Sequence, residues 1–277
     1  MFDLRQAAAQ GVLIAAHRGS WMGNIPCNTL MAFEAALLQG ADIIELDVSR
    51  SLDGTLYVFH PGLEPHFLGS EKHISEMHDD EVRLLRLRNA EGTPTAWPVP
   101  LLDDALEYLK GRCFINVDKF TAYPEEIIRA VRRHDMVDQV LVKSFQKEES
   151  YRLMEELAPD FPYMTFCVNE DHDSEMLLKR NIRYLGTEAL FNTEDSEFCT
   201  AAYHEKMHRM GLLTWANAIV FNYKTVHAAG HSDDVSAIGR PDEGWGYLSN
   251  LGYSMIQTDW IAPCVHYFAQ KGLHRDI

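Results

Sequence analysis

The apolar positions of the chain fall into two alternating patterns, short continuous runs and longer stripes spaced by three and four residues. Continuous runs of this length are typical of buried strands, whereas the stripes are typical of amphipathic helices. The runs predict strands at Val12–Ala16, Ile43–Val48, Cys113–Asp118, Val140–Phe145, Tyr163–Val168, Ile182–Gly186, Leu212–Ala216 and Ser254–Thr258. The stripes predict helices at Asn28–Gly40, Val99–Lys110, Glu125–His134, Glu148–Leu157, Ser174–Arg180, Phe198–Met210 and Val265–Lys271.

Parallel strands that alternate with helices predict a (β/α)8 TIM barrel, because the number of strand candidates matches this fold. A length of 277 residues suits one such domain spanning 1–277. Two connections are too long for plain loops: Pro61–Pro98, with a short helix near Asp79–Leu87, and Asn217–Gly252. We expect both to lie as loops over the pocket at the C-terminal ends of the strands, where barrel active sites form.

Two carboxylates interrupt the second predicted strand. Glu45 and Asp47 are two residues apart, so on a strand their side chains point to the same face. An acidic pair inside an apolar strand is costly unless something compensates its charge. A hard divalent cation is one such partner, because Mg²⁺ and Ca²⁺ prefer oxygen ligands.

A tight turn follows this strand. Asp53-Gly54 is a strong hairpin signal, and a turn this short cannot join parallel strands. Thr55–His60 is therefore predicted to return antiparallel to Ile43–Val48, as an extra strand after the second barrel strand. With a two-residue turn, His60 lies opposite Asp47. We therefore expect the side chain of His60 beside the acidic pair.

The first predicted strand ends in another histidine and an arginine, His17 and Arg18, at its C-terminal lip. Two histidines can exchange protons with a reacting group, and a guanidinium binds phosphate through charged hydrogen bonds. Together with the acidic pair, His17, His60 and Arg18 supply what metal-assisted cleavage of a phosphodiester needs. The alternative interpretation is a core strand, a chance salt bridge and two histidines that only satisfy hydrogen bonds.

The composition agrees with a soluble enzyme. The chain has 25 Lys and Arg against 41 Asp and Glu, and its net charge of −16 disfavours nucleic acid and anionic membranes as partners. Apolar runs stay well short of a membrane span, so no stable membrane insertion is expected. The five cysteines lack a C-x-x-C pair and predict free thiols in a reducing compartment. The N-terminus has no signal-peptide profile, and we expect a cytoplasmic location.

Several motifs resemble those of the glycerophosphodiester phosphodiesterase family, whose pattern is H-R-G, a P-E-N-T-like turn, G-A-D-x-I-E-L-D-V, D-G and a strand ending in His. This chain supplies His17-Arg18-Gly19, Pro26-Cys27-Asn28-Thr29, Gly40–Val48, Asp53-Gly54 and His60. Further along, Ile115–Lys119 resembles the family's N-x-E-x-K strand, and Lys143-Ser144-Phe145 resembles its strand ending in S-F. Trp215 lies where a W-T-V-N strand is expected, and Ile256–Asp259 resembles the closing I-x-T-D strand. The resemblance covers nearly the whole chain.

The resemblance implies a metal-dependent phosphoric diester hydrolase of lipid metabolism that releases glycerol 3-phosphate and an alcohol. One Mg²⁺ or Ca²⁺ would be held by Glu45, Asp47 and Asp118. One histidine, His17 or His60, would activate the nucleophile, either a neighbouring glycerol hydroxyl or water, and the other would protonate the leaving alkoxide. The residues expected to bind substrate or phosphate are Arg18, Lys119, Lys143 and Trp215. The partner is then a small phosphodiester, whose headgroup stays open, as does the oligomeric state.

The chain departs from the family pattern near these residues. Cys27 replaces the Glu of P-E-N-T, Pro61 replaces the Asp after the second histidine, and Asp118 is one methylene shorter than the expected Glu. Lys119 adjoins Asp118, and a regular strand would point the two side chains to opposite faces. These departures leave the substrate and the identity of a catalytic lysine open.

Three alternatives remain. A phospholipase-D-like or cyclising relative would act on lysolipids and would need an apolar mouth in 61–98 or 217–252. A non-catalytic binding protein on a barrel is suggested by Cys27 and Pro61. Zinc catalysis is suggested by His204-Glu205-Lys206-Met207-His208, which matches H-E-x-x-H. The helix that carries this motif is expected on the outside of the barrel, so we interpret the motif as a solvated helix face.

Overall fold

The computed structural model describes residues 2–222 and 225–274, and within them eight parallel strands close into a barrel. The strands are β1 (Leu13–His17), β2 (Ile43–Arg50), β3 (Leu56–Val58), β4 (Phe114–Asp118), β5 (Val140–Phe145), β6 (Tyr163–Val168), β7 (Tyr184–Leu190), β8 (Leu213–Asn217), β9 (Val220–Asn222), β10 (Thr225–Val226) and β11 (Met255–Thr258). The order around the barrel is β1, β2, β4, β5, β6, β7, β8 and β11, and pairing of β11 with β1 closes the ring. Strand β3 pairs antiparallel with β2 outside the ring.

Helices alternate with the barrel strands. They are α1 (Leu4–Ala8), α2 (Leu30–Leu38), α3 (Glu64–Phe67), α4 (Asp79–Leu84), α5 (Leu102–Leu109), α6 (Pro124–Arg133), α7 (Glu148–Leu157), α8 (Ser174–Leu177), α9 (Ala201–Arg209), α10 (Asp233–Ala237), α11 (Trp245–Leu251) and α12 (Ile261–Gln270). The predicted (β/α)8 TIM barrel with an extra antiparallel strand is therefore confirmed. In the described part of the chain, none of the helices has the length and apolarity needed to cross a membrane.

The barrel strands are buried on both faces, which explains why they appear in the sequence as continuous apolar runs. Their outer faces pack against the helices in one large core. Their inner faces form a second core, onto which Leu4 of α1 packs. The barrel residues of this inner core are Leu13, Ala15, Ile43, Phe114, Leu141, Met164, Leu185, Leu213, Trp215 and Met255. Because these side chains fill most of the interior, the polar side chains of the same faces gather at the C-terminal ends of the strands.

A bulge in β7 changes which of its side chains face the barrel interior. Between Tyr184 and Gly186 the strand holds one residue more than its partner β6, so Leu185 is unpaired. Leu185 belongs to the inner core, and beyond the bulge Glu188 also faces inward and lines a cavity. Regular alternation from Leu185 would turn Glu188 outward. The bulge therefore brings a carboxylate into the barrel.

The predicted bounds hold best where apolar runs end at polar residues. Val140–Phe145, Tyr163–Val168 and Glu148–Leu157 have the predicted bounds. Strand β7 continues to Leu190, beyond the predicted end at Gly186, because the glycine forms the bulge and does not end the strand. Helix α12 begins at Ile261, before the predicted start at Val265.

Both long connections contain regular structure. Segment 61–98 includes α3 and α4 and forms a small separate core with Tyr57 and Phe59 of the hairpin. Segment 217–252 includes β9, β10, α10 and α11. Trp245 and Leu248 of α11 are buried in the core between strands and helices, so α11 takes the place of a ring helix. The sequence pattern predicts a loop here because the apolar stretch of α11 is short and flanked by glycines.

Replacing Gly186 by alanine should destabilise the barrel strongly. A Cβ at this position (φ +146°) would lie 1.8 Å from the Leu213 carbonyl oxygen, a backbone atom that cannot move away. The control is Gly111→Ala, because Gly111 also has a positive φ of +75° but has nothing within 4 Å of its Cβ position. We expect Gly111→Ala to lower the unfolding free energy by about 1–2 kcal/mol and Gly186→Ala to lower it more. Denaturant titration measures both, and equal losses would contradict the close approach of β7 and β8.

Candidate active site

A cavity of about 300 Å³ opens at the C-terminal ends of the barrel strands. Of the nine candidate site residues predicted from the sequence, seven line it: His17, Arg18, Glu45, His60, Asp118, Lys119 and Lys143. Asp47 and Trp215 are fully buried beneath this lining. Asn217, Ile219 and His227 of the second long connection also line the cavity, whereas the lining includes none of residues 61–98, all of which the structure describes. One cavity thus gathers the candidate residues.

Three carboxylates meet on the wall formed by β2 and β4. Glu45 and Asp47 share the inner face of β2, and Asp118 pairs with Asp47 in the parallel ladder. One oxygen from each carboxylate lies within 4.8 Å of the other two. Asp47 Oδ1 is buried and has no hydrogen-bond donor among the described residues. Converging carboxylates with an unsatisfied oxygen are a donor set that suits a hard cation, so these residues fit a metal ion.

The two carboxyls of β2 differ in their electrostatics. Burial and the neighbouring charge of Asp47 raise the pKa of Glu45 to about 8. Burial also disfavours ionised Asp47, but nearby positive charges, above all that of Arg18, outweigh it and lower the pKa of Asp47. Without a cation, the site therefore favours a neutral Glu45 beside an ionised Asp47.

Three residues with a left-handed backbone surround Asp47. They are Arg18 (φ 59°), Asn28 (φ 56°) and Lys119 (φ 62°). Non-glycine residues are uncommon in this conformation and gather at functional sites. Asn28 Nδ2 donates to Asp47 Oδ2 at 3.0 Å, and its Oδ1 accepts from the Asp47 backbone N–H at 3.3 Å. Arg18 Nε lies 2.9 Å from the same Oδ2, at an angle that makes an ion pair but no hydrogen bond.

These conformations correct two sequence-based expectations. Asn28 is the predicted first residue of helix α2, but Thr29 caps that helix by accepting the Ala32 N–H at 3.2 Å. Asn28 therefore remains available to bind Asp47. A regular strand would point Lys119 away from Asp118, but β4 ends at Asp118 and the positive φ of Lys119 turns its side chain back. Lys119 Nζ then lies 2.6 Å from Asp118 Oδ2 and 3.8 Å from Asp47 Oδ1.

His17 is held by a carboxylate at the end of the last barrel strand. Its Nδ1 lies 2.9 Å from Asp259 Oδ1, and because a carboxylate only accepts, Nδ1 carries the hydrogen. Burial disfavours the charged ring, but the hydrogen bond and charge of Asp259 outweigh burial and raise the pKa of His17 above its usual value. Nε2 is the nitrogen that remains for a bound molecule.

His60 approaches the acidic cluster from the hairpin, although the predicted register is wrong by one residue. The loop contains 52–54, with Gly54 at φ +86°, and is therefore a three-residue turn. Phe59 lies opposite Asp47, and its N–H bonds to the Asp47 carbonyl at 3.0 Å. His60 lies beyond the end of β3 with Nε2 4.0 Å from Asp47 Oδ1, so its expected proximity to Asp47 is confirmed.

The two histidines differ in protonation. Nδ1 of His60 lies 2.8 Å from the Pro61 carbonyl oxygen, which only accepts, so Nδ1 carries the hydrogen and Nε2 of the neutral ring has a lone pair. Burial lowers the pKa of His60, and the charges of Arg18 and Lys119 lower it further, against the attraction of Asp47. The environment therefore favours charged His17 and neutral His60.

The opposite wall contains a buried ion pair that the sequence does not indicate. Lys143 Nζ pairs with Glu188 and lies 3.7 Å from the centroid of the Trp215 ring. Asn217 Nδ2 donates to Glu188 Oε1 at 2.6 Å, and Trp215 Nε1 donates to Asn217 Oδ1 at 3.3 Å. The charge of Lys143 is therefore balanced within the protein, and Trp215 lies under the pair, shielded from the cavity.

The sequence pattern indicates no role in the site for four residues that the structure places there: Asn28, Glu188, Asn217 and Asp259. The bulge in β7 conceals Glu188, since strand alternation cannot anticipate an unpaired residue. The pairing of Asp259 with His17 could have been predicted, because closing a barrel brings the end of the last strand beside the end of the first, where His17 lies.

The H-E-x-x-H segment lies on α9, outside the barrel. Glu205 and His208 are exposed as expected, but the expectation of a solvated face is wrong for His204, which is buried against β8. His204 Nε2 lies 3.1 Å from the Phe198 carbonyl oxygen, and Nδ1 lies 3.3 Å from Thr214 Oγ1. Within the described residues, the one cluster able to hold a metal is that of Glu45, so the H-E-x-x-H segment is structural.

Two family models match the chain. One is described as the glycerophosphoryl diester phosphodiesterase family and matches residues 17–197, which include both histidines and the three carboxylates. The other is described as a domain of unknown function and matches residues 163–268. A glycerophosphodiester phosphodiesterase of Bacillus altitudinis is 31% identical over 175 residues, which cover 60% of this chain and 71% of that protein. The chain spans 63% to 71% of the length of the first curated relatives that it matches.

Solved structures share the fold at low sequence identity. A glycerophosphoryl diester phosphodiesterase from Parabacteroides distasonis has a TM-score of 0.74 at 14% identity, covering 97% of this chain and 92% of that one. A phosphodiesterase from Oleispira antarctica, in complex with the product sn-glycerol-3-phosphate, has a TM-score of 0.66 at 19% identity, covering 96% and 99%.

Replacing His204 by alanine should lower stability without affecting metal binding. The substitution removes a buried ring and its polar contacts, so we expect the unfolding free energy to fall by roughly 1–3 kcal/mol. His208→Ala, on the exposed face of the same helix, is the control and should change stability by less than about 0.5 kcal/mol. Denaturant titration measures both, and loss of bound zinc from folded His204→Ala protein would contradict a structural role.

The pH dependence of stability provides a second check on His204. Burial lowers the pKa of His204 to about 4, below the usual value of an unfolded chain. Its contribution to stability is thus complete above about pH 6.5 and is lost as the pH falls towards 4. His204→Ala should therefore be less sensitive to pH over this interval than the wild type.

Proposed function

Because the chain belongs to the glycerophosphoryl diester phosphodiesterase family, we propose that it hydrolyses glycerophosphodiesters to glycerol 3-phosphate and an alcohol. The observation that carries the proposal is one cavity where three converging carboxylates, with Asp47 just beneath the lining, meet two histidines of opposite protonation preference. The sn-glycerol-3-phosphate bound by the structural relative from Oleispira antarctica supports the same product. Assaying glycerophosphocholine and glycerophosphoethanolamine with product identification tests it.

The expected cofactor is one divalent cation held by Glu45, Asp47 and Asp118. The family uses a divalent cation, and hard carboxylate ligands favour Mg²⁺ or Ca²⁺. When bound, such an ion stabilises the negative charge that develops on phosphoryl oxygens. Asp47 contributes the carboxylate whose Oδ1 has no donor among the described residues, and Glu45 contributes after losing its proton.

The protonation preferences support a separate role for each histidine. His60 presents a lone pair on Nε2 and acts as the general base that takes a proton from the nucleophile, a neighbouring glycerol hydroxyl or water. His17 is held in its charged form by Asp259 and acts as the general acid that protonates the leaving alkoxide. If a cyclic phosphate forms first, the two roles reverse when water opens it.

Arg18 and Lys119 are the expected phosphate-binding residues. Both lie beside the carboxylates and line the cavity, so they place positive charge where a phosphodiester enters. Lys143 has a different role in this proposal, because Glu188 balances its charge. It would orient the glycerol hydroxyls through a hydrogen bond, and Trp215 would support it from below.

The remaining parts of the proposal concern the binding partner, the cellular location and the domain organisation. The partner is a small phosphodiester and not a nucleic acid, since a net charge of −16 repels polyanions. We place the protein in the cytoplasm, where the cysteines, all free among the described residues, stay reduced. The chain would work as one barrel domain in which part of segment 217–252 closes one side of the cavity.

A lysolipid substrate is the second candidate, and an apolar patch favours it. Phe145 at the end of β5 is 51% exposed, and its ring centroid lies 5.2 Å from that of Phe166 on β6. Val168, two residues beyond Phe166 on β6, is also exposed. An acyl chain could lie on this patch, which comes mainly from strand ends and not from the long connections. The two candidate substrate classes can be distinguished by assaying lysophosphatidylcholine and glycerophosphocholine with the wild type and with Phe145→Ser.

Removing the metal should abolish turnover, and adding Mg²⁺ or Ca²⁺ should restore it. Asp47→Asn should weaken metal binding in calorimetry and lower kcat/KM by roughly 100-fold or more, because the ion supplies several kcal/mol of charge stabilisation. Asp103→Asn is the control, since Asp103 pairs with Arg133 on an exposed surface. Full turnover in excess chelator would contradict the metal assignment.

Metal affinity should rise with pH. The pKa of Glu45 is raised to about 8, so at lower pH a proton must leave before the carboxylate can bind a cation. Calorimetry in buffers of different ionisation enthalpy should detect this proton release below about pH 8 and its disappearance above. Glu45→Gln should bind metal weakly at every pH, and proton release that persisted in this variant would assign the proton to another group.

Replacing either His17 or His60 by alanine should lower kcat by a factor of roughly 10²–10⁴. The double variant should lose much less than the product of the two, because residues that act as a unit are non-additive. His17→Ala should keep most activity on a nitrophenyl ester, whose leaving group needs no protonation, whereas His60→Ala should not. Equal losses on both ester types, or no loss, would rule out the acid–base pair.

A further inference from the structure

Asp233 is a buried carboxylate outside the cavity that nothing above uses. It lies at the start of α10, and only 2% of its surface is exposed. Its Oδ1 accepts from Trp245 Nε1 at 2.7 Å and from Thr258 Oγ1 at 2.6 Å, and its Oδ2 accepts from the Asp259 backbone N–H at 2.8 Å. Burying a carboxylate is costly, and burial raises the pKa of Asp233 to about 7, while the three donors favour the ionised form and offset part of the cost.

The position of Asp233 links two neighbouring barrel strands. Its backbone N–H donates to the Ala218 carbonyl at 2.7 Å, just beyond the end of β8. Its side chain holds the last residue of β11, Thr258, and the residue after it, Asp259. Segment 217–252 is therefore joined through Asp233 to the strand end that carries the carboxylate partner of His17.

Asp259 needs such an anchor because it lies beyond the barrel ladder. Strand β11 ends at Thr258, whose partner on β1 is Ala16. Asp259 Oδ1 nevertheless holds His17 Nδ1 at 2.9 Å, although the Asp259 side chain is 32% exposed. The bond from its own N–H to Asp233 Oδ2 fixes the backbone from which this side chain extends.

The geometry points to Asp233 as a positioning residue for His17. Asp233 fixes the backbone of Asp259, so that the Asp259 carboxylate keeps the hydrogen on His17 Nδ1 and leaves Nε2 for the reacting oxygen. This inference rests on the proposed function, in which His17 transfers a proton. A carboxylate is required at 233 because the indole N–H, the hydroxyl and the backbone N–H all donate. An asparagine would place its own N–H₂ against at least one of these donors.

Asp233→Asn tests the inference with little change in size. We expect kcat to fall by roughly 10–100-fold, the usual effect of losing a partner that orients a functional histidine, with KM unchanged. The loss should follow the substrate pattern of His17→Ala, large on an alkyl ester and small on a nitrophenyl ester. The control is Asp242→Asn in the same segment, which bonds Tyr267 and Lys271 at the surface. It should leave the ratio of the two rates unchanged.

Equal losses of Asp233→Asn on both esters, in proportion to lost folded protein, would overturn the inference and leave Asp233 a structural anchor. If Asp233→Asn does not fold, Thr258→Val replaces it, since this near-isosteric change removes one of the three donors. Thr258→Val should shift the ratio of the two rates in the same direction, and an unchanged ratio would overturn the inference.

A spectroscopic readout separates this inference from the proposed function. The ¹⁵N signals of the His17 ring, assigned by their absence in His17→Gln, report the hydrogen on Nδ1. They should change in Asp233→Asn and stay unchanged in Asp242→Asn, and an unchanged His17 ring in Asp233→Asn overturns the positioning role. A wild type that hydrolyses no glycerophosphodiester would refute the proposed function, while these signals still decide the role of Asp233.

Discussion

Glu45 and Asp47 extend from the inner face of β2 into the barrel, where an ionised carboxylate costs several kcal/mol unless its surroundings compensate. Arg18, Asn28 and Lys119 supply the compensation, and all three adopt left-handed backbone conformations to reach Asp47. Such conformations cost roughly 1–3 kcal/mol each, so the chain accepts strain at three places around one carboxylate. The need to compensate the charge of Asp47 therefore determines the backbone conformation at the end of β4, before α2 and just after β1.

The charge balance of the cavity follows from the same constraint. On the β2–β4 wall, three carboxylates face two cations, so one negative charge is left when all are ionised. A divalent cation would change that excess into one positive charge, which attracts a phosphodiester although the whole chain carries −16. The opposite wall is neutral because Lys143 and Glu188 cancel. With a cation bound, the positive charge of the cavity would then lie on the β2–β4 wall, next to His17 and His60.

The barrel, the acidic pair and the two histidines could be predicted from the sequence because each depends on local spacing. Glu45 and Asp47 share a face through simple alternation, and the turn at 53–54 brings His60 back even though its length was misjudged. Long-range features could not be predicted in this way. The partner of His17 lies 242 residues later in the chain, and Lys119 reaches Asp47 on β2 because its backbone takes a positive φ where β4 ends. Helix α11 was missed because its periodic stretch is too short.

The bulge at Gly186 has a consequence for comparing relatives. An extra residue inverts the facing of every later position in β7, so a relative whose strand has the same length but no bulge would direct the position aligned with Glu188 at the helices. Functional residues of β7 therefore cannot be transferred between relatives by alignment column alone, because misplacing a gap by one residue exchanges the two faces. Losing the bulge at unchanged chain length would turn Glu188 outward and leave Lys143 without its counter-ion, so a shift of register in β7, with no substitution, would alter the charge presented to a substrate.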